Sequence, residues 1–280
     1  MIIADTHSHS NHSTDSTASM EEMIVWAIKN NLKVFTFTEH MDYDNHHYLV
    51  PSSASEGLKR GDFEVDTIFY FNEFNLLKEK WSDHIELLFG VEYGLQPNLS
   101  KELEDYSNAF PFDYIIGSSH EVLGIDPYYP EFIKNRTAMD AYHLYFKTEA
   151  ECAKNCDDFD VYGHIDYGLR YHQDKIANFE FKYSDFSDEL DDLIKTLITK
   201  GKGLEFNTKS LSYFDINHSP SISVLKRYIE LGGEIVTIGS DAHKPADIAR
   251  DFDKAEEILK SLNIKSYAVY KNRVPIFYDL

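Results

Sequence analysis

The sequence predicts an α/β fold in which parallel strands close into a barrel. Three observations carry that prediction. Seven short apolar runs each end in a polar residue of metal-binding type, the runs alternate with helical patterns, and no Gly-rich nucleotide loop follows the first run. A strand buried on both faces reads as a continuous apolar run. Strict strand–helix alternation implies a parallel sheet with right-handed crossovers. Without the glycine fingerprint, a closed barrel is favoured over an open doubly wound sheet, and barrel sites gather at the carboxyl ends of the strands.

The elements follow in order. Ile2-Ile3-Ala4 leads into Asp5, His7 and His9. Residues two apart on a strand share a side, so His7 and His9 can both face the barrel axis, and Asp5 can accept an imidazole N–H from behind. Ser19-Met20-Glu21-Glu22 is a capping box that opens a helix carrying Met23, Val25, Trp26, Ala27 and Ile28 and ending at Asn30-Asn31. Val34-Phe35-Thr36-Phe37 runs into His40, Leu87-Leu88-Phe89-Gly90-Val91 into Glu92, and Tyr114-Ile115-Ile116 into His120. Val161-Tyr162-Gly163 ends at His164, Leu204-Glu205-Phe206 at Asn207, and Ile235-Val236-Thr237-Ile238 at Asp241 and His243. Further helices are expected at about 65–80, 137–155, 186–200, 220–231 and 246–262. The polar stretch 46–62 and the proline-bearing stretch 124–136 break the rhythm and read as loops over the barrel mouth.

A length of 280 residues with 42% hydrophobic content suits one globular domain spanning 1–280. No apolar stretch approaches the roughly 20 residues that cross a bilayer. The first residues show no basic region ahead of an apolar segment, so no secretory leader is expected and a cytoplasmic location is. Cys152 and Cys156 read as small helix residues in a reducing compartment. A net charge of −21, from 27 Lys+Arg against 48 Asp+Glu, repels nucleic acid and anionic membranes. The expected partner is a small molecule, and the expected assembly a monomer or small homo-oligomer.

The polar endings make a constellation. Asp5-Thr6-His7-Ser8-His9 and Asp241-Ala242-His243 repeat one i, i+2 geometry at distant places in the chain. Thr38-Glu39-His40, Glu92, Ser118-Ser119-His120 and Gly163-His164-Ile165-Asp166 fill the sectors between them. These motifs, in this order, resemble those of the polymerase and histidinol phosphatase (PHP) superfamily. Their length and flanks are most similar to its monofunctional histidinol-phosphatase branch. The resemblance implies a distorted (β/α)7 TIM-like barrel with a trinuclear metal centre. It implies that His7, His9, Glu92 and Asp241 hold one ion and that Glu92, His120 and His164 hold a second. Asp15, His40 and His243 hold the third, with His12 a nearby competitor for the place of Asp15. Imidazole-rich ligation with carboxylates suits zinc, manganese or iron better than magnesium or calcium. Three divalent ions in the mouth also reconcile an acidic protein with an anionic substrate.

The expected activity is hydrolysis of a phosphate monoester, with L-histidinol phosphate the substrate implied by the branch and histidine biosynthesis the pathway. Gly-x-Ser-x-Gly and C-x5-R nucleophile patterns are absent. Arg170, six residues past His164, is expected to hold phosphate oxygens, as the branch similarly places an arginine there. Lys209 adds a point charge. Asp241 and His243 are the candidate proton donors to the leaving group. Glu121 or Asp126 is expected to meet the substrate amine, although Ser118-Ser119-His120-Glu121 departs from the family's usual S-V-H-F. Two alternatives stay open: a PHP enzyme acting on phosphotyrosine, a nucleotide or a sugar or alcohol phosphate, and a catalytically silent metal-binding scaffold. Seven of the 13 histidines (His12, His46, His47, His84, His143, His172 and His218) are left as solvated, capping or mouth residues.

Overall fold

A computed structural model describes residues 1–43, 57–171 and 179–280, apart from the Asn217 side chain. Most of the expected mouth loop 46–62, including His46 and His47, lies outside the described residues, as does His172.

The elements run β1 (Ala4–Asp5), α1 (Met20–Lys29), β2 (Val34–Met41), α2 (Thr67–Trp81), β3 (Glu86–Gly94) and α3 (Ser100–Ala109). They continue with β4 (Tyr114–Ser118), α4 (Pro130–Ile133), α5 (Ala138–Asn155), β5 (Val161–Tyr162), α6 (Ser187–Thr199) and β6 (Gly203–Asn207). The last are α7 (Pro220–Glu230), β7 (Val236–Gly239), α8 (Phe252–Ser261), β8 (Ser266–Lys271) and β9 (Val274–Asp279). Strands β1 to β7 pair in chain order, and each pair is parallel. β2 is buried along its whole length, which is why its first half reads as a mostly apolar run. Just past β1 and β7 the ring is sealed by backbone bonds: Thr6 N–H to the Ile238 carbonyl (3.1 Å), Asp241 to His7 (3.0 Å) and His9 to Ala242 (2.9 Å). The fold is the TIM-like seven-unit barrel that the sequence predicts.

The helix starts follow their capping residues. Ser19 Oγ accepts from Glu22 N–H (3.3 Å) while the Glu22 carboxylate accepts from Ser19 N–H (3.0 Å), completing the capping box of α1. Asp66, Thr137 and Ser219 cap α2, α5 and α7, each side chain accepting from the N–H three residues on.

Three elements differ from expectation. The predicted 246–262 helix begins only at Phe252, because Ala249 and Asp251 take left-handed backbone (φ 56° and 55°) and so cannot continue a right-handed helix. Helix α3 was not expected, since it buries only Leu103, Tyr106 and Ser107 and so carries too thin an apolar stripe to stand out. The antiparallel β8–β9 hairpin was not expected either. It packs across the amino-terminal ends of the barrel strands. Tyr270 stacks on Tyr114 at 5.3 Å, Arg273 Nε donates to Asp160 (2.6 Å), and Tyr267 Oη accepts from Ile3 N–H (3.0 Å).

The hairpin therefore plugs the end of the barrel opposite the polar strand termini. Tyr270→Ala is expected to remove about 3 kcal/mol of stability, the usual cost of deleting a buried aromatic. The urea midpoint should fall while bound-metal content, measured on the folded protein, stays the same.

Candidate metal centre

Each strand of the barrel delivers its terminal polar residue to the same end. In register, His40 on β2 lies opposite Glu92 on β3. Glu92 is fully buried at the centre of the group. Its Oε2 lies 3.2 Å from His7 Nε2, 3.4 Å from His9 Nε2 and 3.2 Å from His40 Nδ1. Its Oε1 lies 2.7 Å from His164 Nε2 and 3.3 Å from His120 Nε2. Asp241 Oδ1 closes the first set at 3.9 Å from His7 and 3.8 Å from His9. Asp15 Oδ2 sits 3.0 Å from His243 Nε2 and 3.5 Å from His40 Nε2. His12 turns away to Glu73 (3.0 Å), so Asp15 is the residue that faces the cluster.

Four triads within this group bring their donor atoms within 4.8 Å of one another: His7–Glu92–His164, His7–His9–Asp241, His40–Glu92–His120 and His9–His40–His243. The His40 ring thus belongs to two neighbourhoods, between the Glu92 group and the Asp15–His243 group.

The electrostatics suit cations. Burial works to raise the Glu92 carboxyl, but the imidazoles of His7, His120 and His164 outweigh it and hold the group well below the usual carboxylate range. Burial, with His40 and His243 beside it, holds His9 well below the ordinary imidazole value, so its lone pair is available. Burial likewise works against ionised Asp241, and Lys209, His7 and His243 more than offset it. Glu92 Oε2 and His40 Nδ1, 3.2 Å apart, are buried with no hydrogen-bond partner among the described residues. Buried polar atoms are normally satisfied. Orphaned donors of imidazole and carboxylate type, aimed at one another, fit divalent transition-metal ions.

A supporting layer orients the imidazoles. His7 Nδ1 pairs with Glu205 Oε1 (2.6 Å), and His120 Nδ1 with Asp42 Oδ2 (2.8 Å). Such partners fix the ring and its tautomer. Gly239 leaves room for the first pair, since a Cβ there would lie 2.3 Å from His7 Cβ and 2.5 Å from Glu205 Oε1. Glu39 accepts from Ser10 N–H (3.0 Å), Ser10 Oγ (2.6 Å) and Ser13 Oγ (2.6 Å), anchoring the loop after β1. Glu205, Asp42 and Glu39 were given no role from sequence. A carboxylate inside an apolar run, as in Leu204-Glu205-Phe206, is the signal that marks such a residue, because a buried acid needs a partner.

Asp5 does something other than the sequence reading proposed. Among the described residues it takes no imidazole N–H. It accepts from Ser240 N–H (2.9 Å), Ser240 Oγ (2.6 Å) and Ala249 N–H (3.0 Å), and so fastens β1 to the segment after β7. The imidazole it was expected to hold is taken by Glu205. Asp241 itself has left-handed backbone, φ 53°, a strained setting for a residue at the heart of a site.

The metal donors open on a cavity of about 390 Å³. Lys209 lines it, with Nζ 3.3 Å from Asp241 Oδ2. Arg170 is buried behind the rim: Nε and Nη2 donate to Asp166 Oδ1 (3.2 and 2.9 Å), Nη2 also to Asn207 and Ser210, and Nη1 points to Asp241 Oδ2 (3.4 Å). Glu121 is buried and is not among the described residues that line the cavity, whereas Asp126 is. Cys152 and Cys156 are buried away from the donors, each thiol 3.4 Å from a backbone carbonyl. His143 pairs with Glu189 (2.8 Å), His84 rests on Trp81, and His218 is exposed. Among the described residues, no helix is long and apolar enough to cross a membrane.

Known proteins share this architecture. The PHP domain profile matches residues 5–209. A probable histidinol-phosphatase of Clostridium acetobutylicum is 31% identical, the alignment covering 99% of this chain and 97% of that one. A histidinol-phosphatase of Lactococcus lactis subsp. lactis is 27% identical over 95% of this chain and 93% of its own. The crystal structure of histidinol phosphate phosphatase from Lactococcus lactis subsp. lactis Il1403, complexed with zinc, L-histidinol and phosphate, superposes with a TM-score of 0.84 at 26% identity, covering 98% of both chains. The order of the strand-end motifs, the barrel that gathers them and the profile match across most of the sequence have one reading: the chain belongs to the PHP domain family.

Proposed function

We propose that the protein is a metal-dependent phosphomonoester hydrolase that converts L-histidinol phosphate to L-histidinol and phosphate in the cytoplasm. The observation that carries this is the convergence of five histidines from four strand ends on the single buried carboxylate of Glu92, beside a cavity that also presents Lys209. The names of the relatives and the zinc, L-histidinol and phosphate held by the Lactococcus lactis enzyme support the choice of substrate.

The ligand sets proposed are His7, His9, Glu92 and Asp241 for one ion, Glu92, His120 and His164 for a second, and Asp15, His40 and His243 for a third, the ions being zinc, manganese or iron. When bound, divalent ions of this kind lower the pKa of a water and neutralise charge on phosphoryl oxygens. The chain does the rest. Glu205 and Asp42 hold the His7 and His120 rings in place. Lys209 Nζ offers a cation to a phosphate oxygen at the wall of the cavity. Arg170, locked by Asp166, directs Nη1 toward the same point beside Asp241. Asp241 Oδ1 and His243 Nδ1 lie 3.3 Å apart, which supports Asp241 or His243 as the candidate donor of a proton to the leaving alkoxide.

Elemental analysis combined with a panel of phosphomonoesters tests the proposal. Chelated protein should lose turnover of L-histidinol phosphate and recover it on adding back zinc, manganese or iron. Negligible turnover of that ester beside fast turnover of phosphotyrosine or a sugar phosphate would replace the substrate. Inactivity of the reloaded protein on every ester would replace the reaction.

Substitutions sort the roles. His7→Ala and Asp241→Asn should cut kcat by orders of magnitude. Glu205→Gln should cost about 10–100-fold in metal affinity or activity, read by chelator competition, because it frees the His7 ring. Arg170→Ala should act mainly on KM, raising it roughly tenfold, the scale of a lost charge-assisted contact; a wild-type KM would remove Arg170 from phosphate binding.

A further inference from the structure

Helix α5 turns one acid inward. Glu149 is fully buried, on a face whose other buried residues are aromatic, alanine or cysteine. Tyr145 precedes it by one helical turn, so the two side chains share that face. The face packs against the turn that carries Arg170. Tyr167–Leu169 forms a single 3-10 turn, closed by the Arg170 N–H to the Tyr167 carbonyl (3.1 Å). The Tyr145 ring lies against Gly168 in that turn: a Cβ on Gly168 would fall 2.6 to 2.8 Å from three ring carbons. Behind the turn, four buried oxygens lack a well-formed hydrogen bond among the described residues: both of Glu149, Oη of Tyr145 and Oδ2 of Asp166. Glu149 and Tyr145 both feel the charge of Asp166. Buried polar atoms are normally satisfied, so a set of orphans in one place calls for a role.

Counting charges decides what Glu149 carries. Asp166 Oδ1 already accepts from Arg170 Nε and Nη2 (3.2 and 2.9 Å), and Nη1 of the same guanidinium points to Asp241 Oδ2 (3.4 Å). Glu149 makes no ion pair among the described residues. A buried acid without a cation, near an ionised one, keeps its proton. Burial holds its carboxyl well above the ordinary carboxylate range, the Tyr145 hydroxyl opposing and the Asp166 charge adding. A protonated carboxyl is a hydrogen-bond donor, and the acceptor nearby that lacks a donor is Asp166 Oδ2. We propose that Glu149 is a positioning residue, passing a hydrogen bond through the Tyr145 hydroxyl to Asp166 Oδ2 and so fixing the carboxylate that locks Arg170. Without that bond Asp166 is free to pivot, and the guanidinium loses the stop that directs Nη1 toward Asp241. Glu149 is not among the described residues that line the cavity, so it acts only through Asp166 and Arg170. This rests on the reading of Arg170 as a phosphate-binding residue.

Two readouts test the proton and the position separately. An infrared difference spectrum, wild type minus Glu149→Gln, is taken at about pH 8, well above the usual carboxylate range. It should show the C=O band of a protonated carboxyl in the wild type and not in the variant. Steady-state kinetics of metal-loaded protein with L-histidinol phosphate read the position. Glu149→Leu, apolar and without a donor, should raise KM about three- to tenfold with kcat changed by less than about twofold and metal content unaltered. Glu149→Gln, neutral and still a donor, should keep KM within about twofold of wild type, a rescue that a merely space-filling role does not require. Tyr145→Phe removes only the hydroxyl oxygen; it should raise KM as the leucine variant does, and serves if that variant does not fold. An absent protonated-carboxyl band, or a glutamine variant as impaired as the leucine one, would overturn the positioning role. So would a wild-type KM in the folded leucine and phenylalanine variants beside a raised KM in Arg170→Ala. A wild-type KM in Arg170→Ala would instead mark the failure of the phosphate reading of Arg170, with the infrared band unaffected.

Discussion

A single buried carboxylate organises this molecule. Glu92 is sunk at the centre of the barrel mouth, and five imidazoles, those of His7, His9, His40, His120 and His164, come within 3.4 Å of its two oxygens. An isolated charge at that depth would cost many kcal/mol. It is tolerable only because strands from all round the barrel bring nitrogen ligands to it at once. The barrel closure and the site are thus one problem: the seam that shuts the ring is what brings Asp241 and His243 to His7 and His9.

The closure is correspondingly well fastened. Asp5 spans the seam with hydrogen bonds to Ser240 and Ala249, and burial raises its carboxyl to about 6 against those bonds. Asp241 stands in left-handed backbone with its N–H tied to the His7 carbonyl, so the strain at that residue is held by the same seam. Gly239 supplies the space in which His7 and Glu205 meet. Three consecutive residues, Gly239, Ser240 and Asp241, serve Asp5 and His7, more than 230 positions away.

Much of this was legible in the sequence, for physical reasons. Strands buried on both faces announce themselves as apolar runs, and residues such as His40, His120 and His164 at their carboxyl ends declare a common direction. The i, i+2 pairs His7–His9 and Asp241–His243 reported same-side geometry through strand parity. Less was legible where the signal depends on a partner. Nothing local in Asp5 distinguishes holding an imidazole from holding the backbone across a seam. Glu205 and Asp42 act through rings that sequence cannot place. Helix α3 buries too few residues per turn to impose a period, β8 buries Tyr267 to Tyr270 in a row while β9 is mostly exposed so that neither strand alternates, and their positions come from packing alone.

The plug at the far end of the barrel has a consequence for how the protein is made. Tyr267 grips the backbone of Ile3, and the seam joins Thr6 to Ile238. The strand bearing His7 and His9 therefore has no permanent neighbour on one side until residues beyond 236 have left the ribosome. A nascent chain carries His7 and His9 for almost the whole of synthesis before the residues that flank them across the seam exist. The ligand sets proposed through Asp241 and His243 therefore close late in synthesis, whereas Glu92, His120 and His164 are all present once residue 164 has been made.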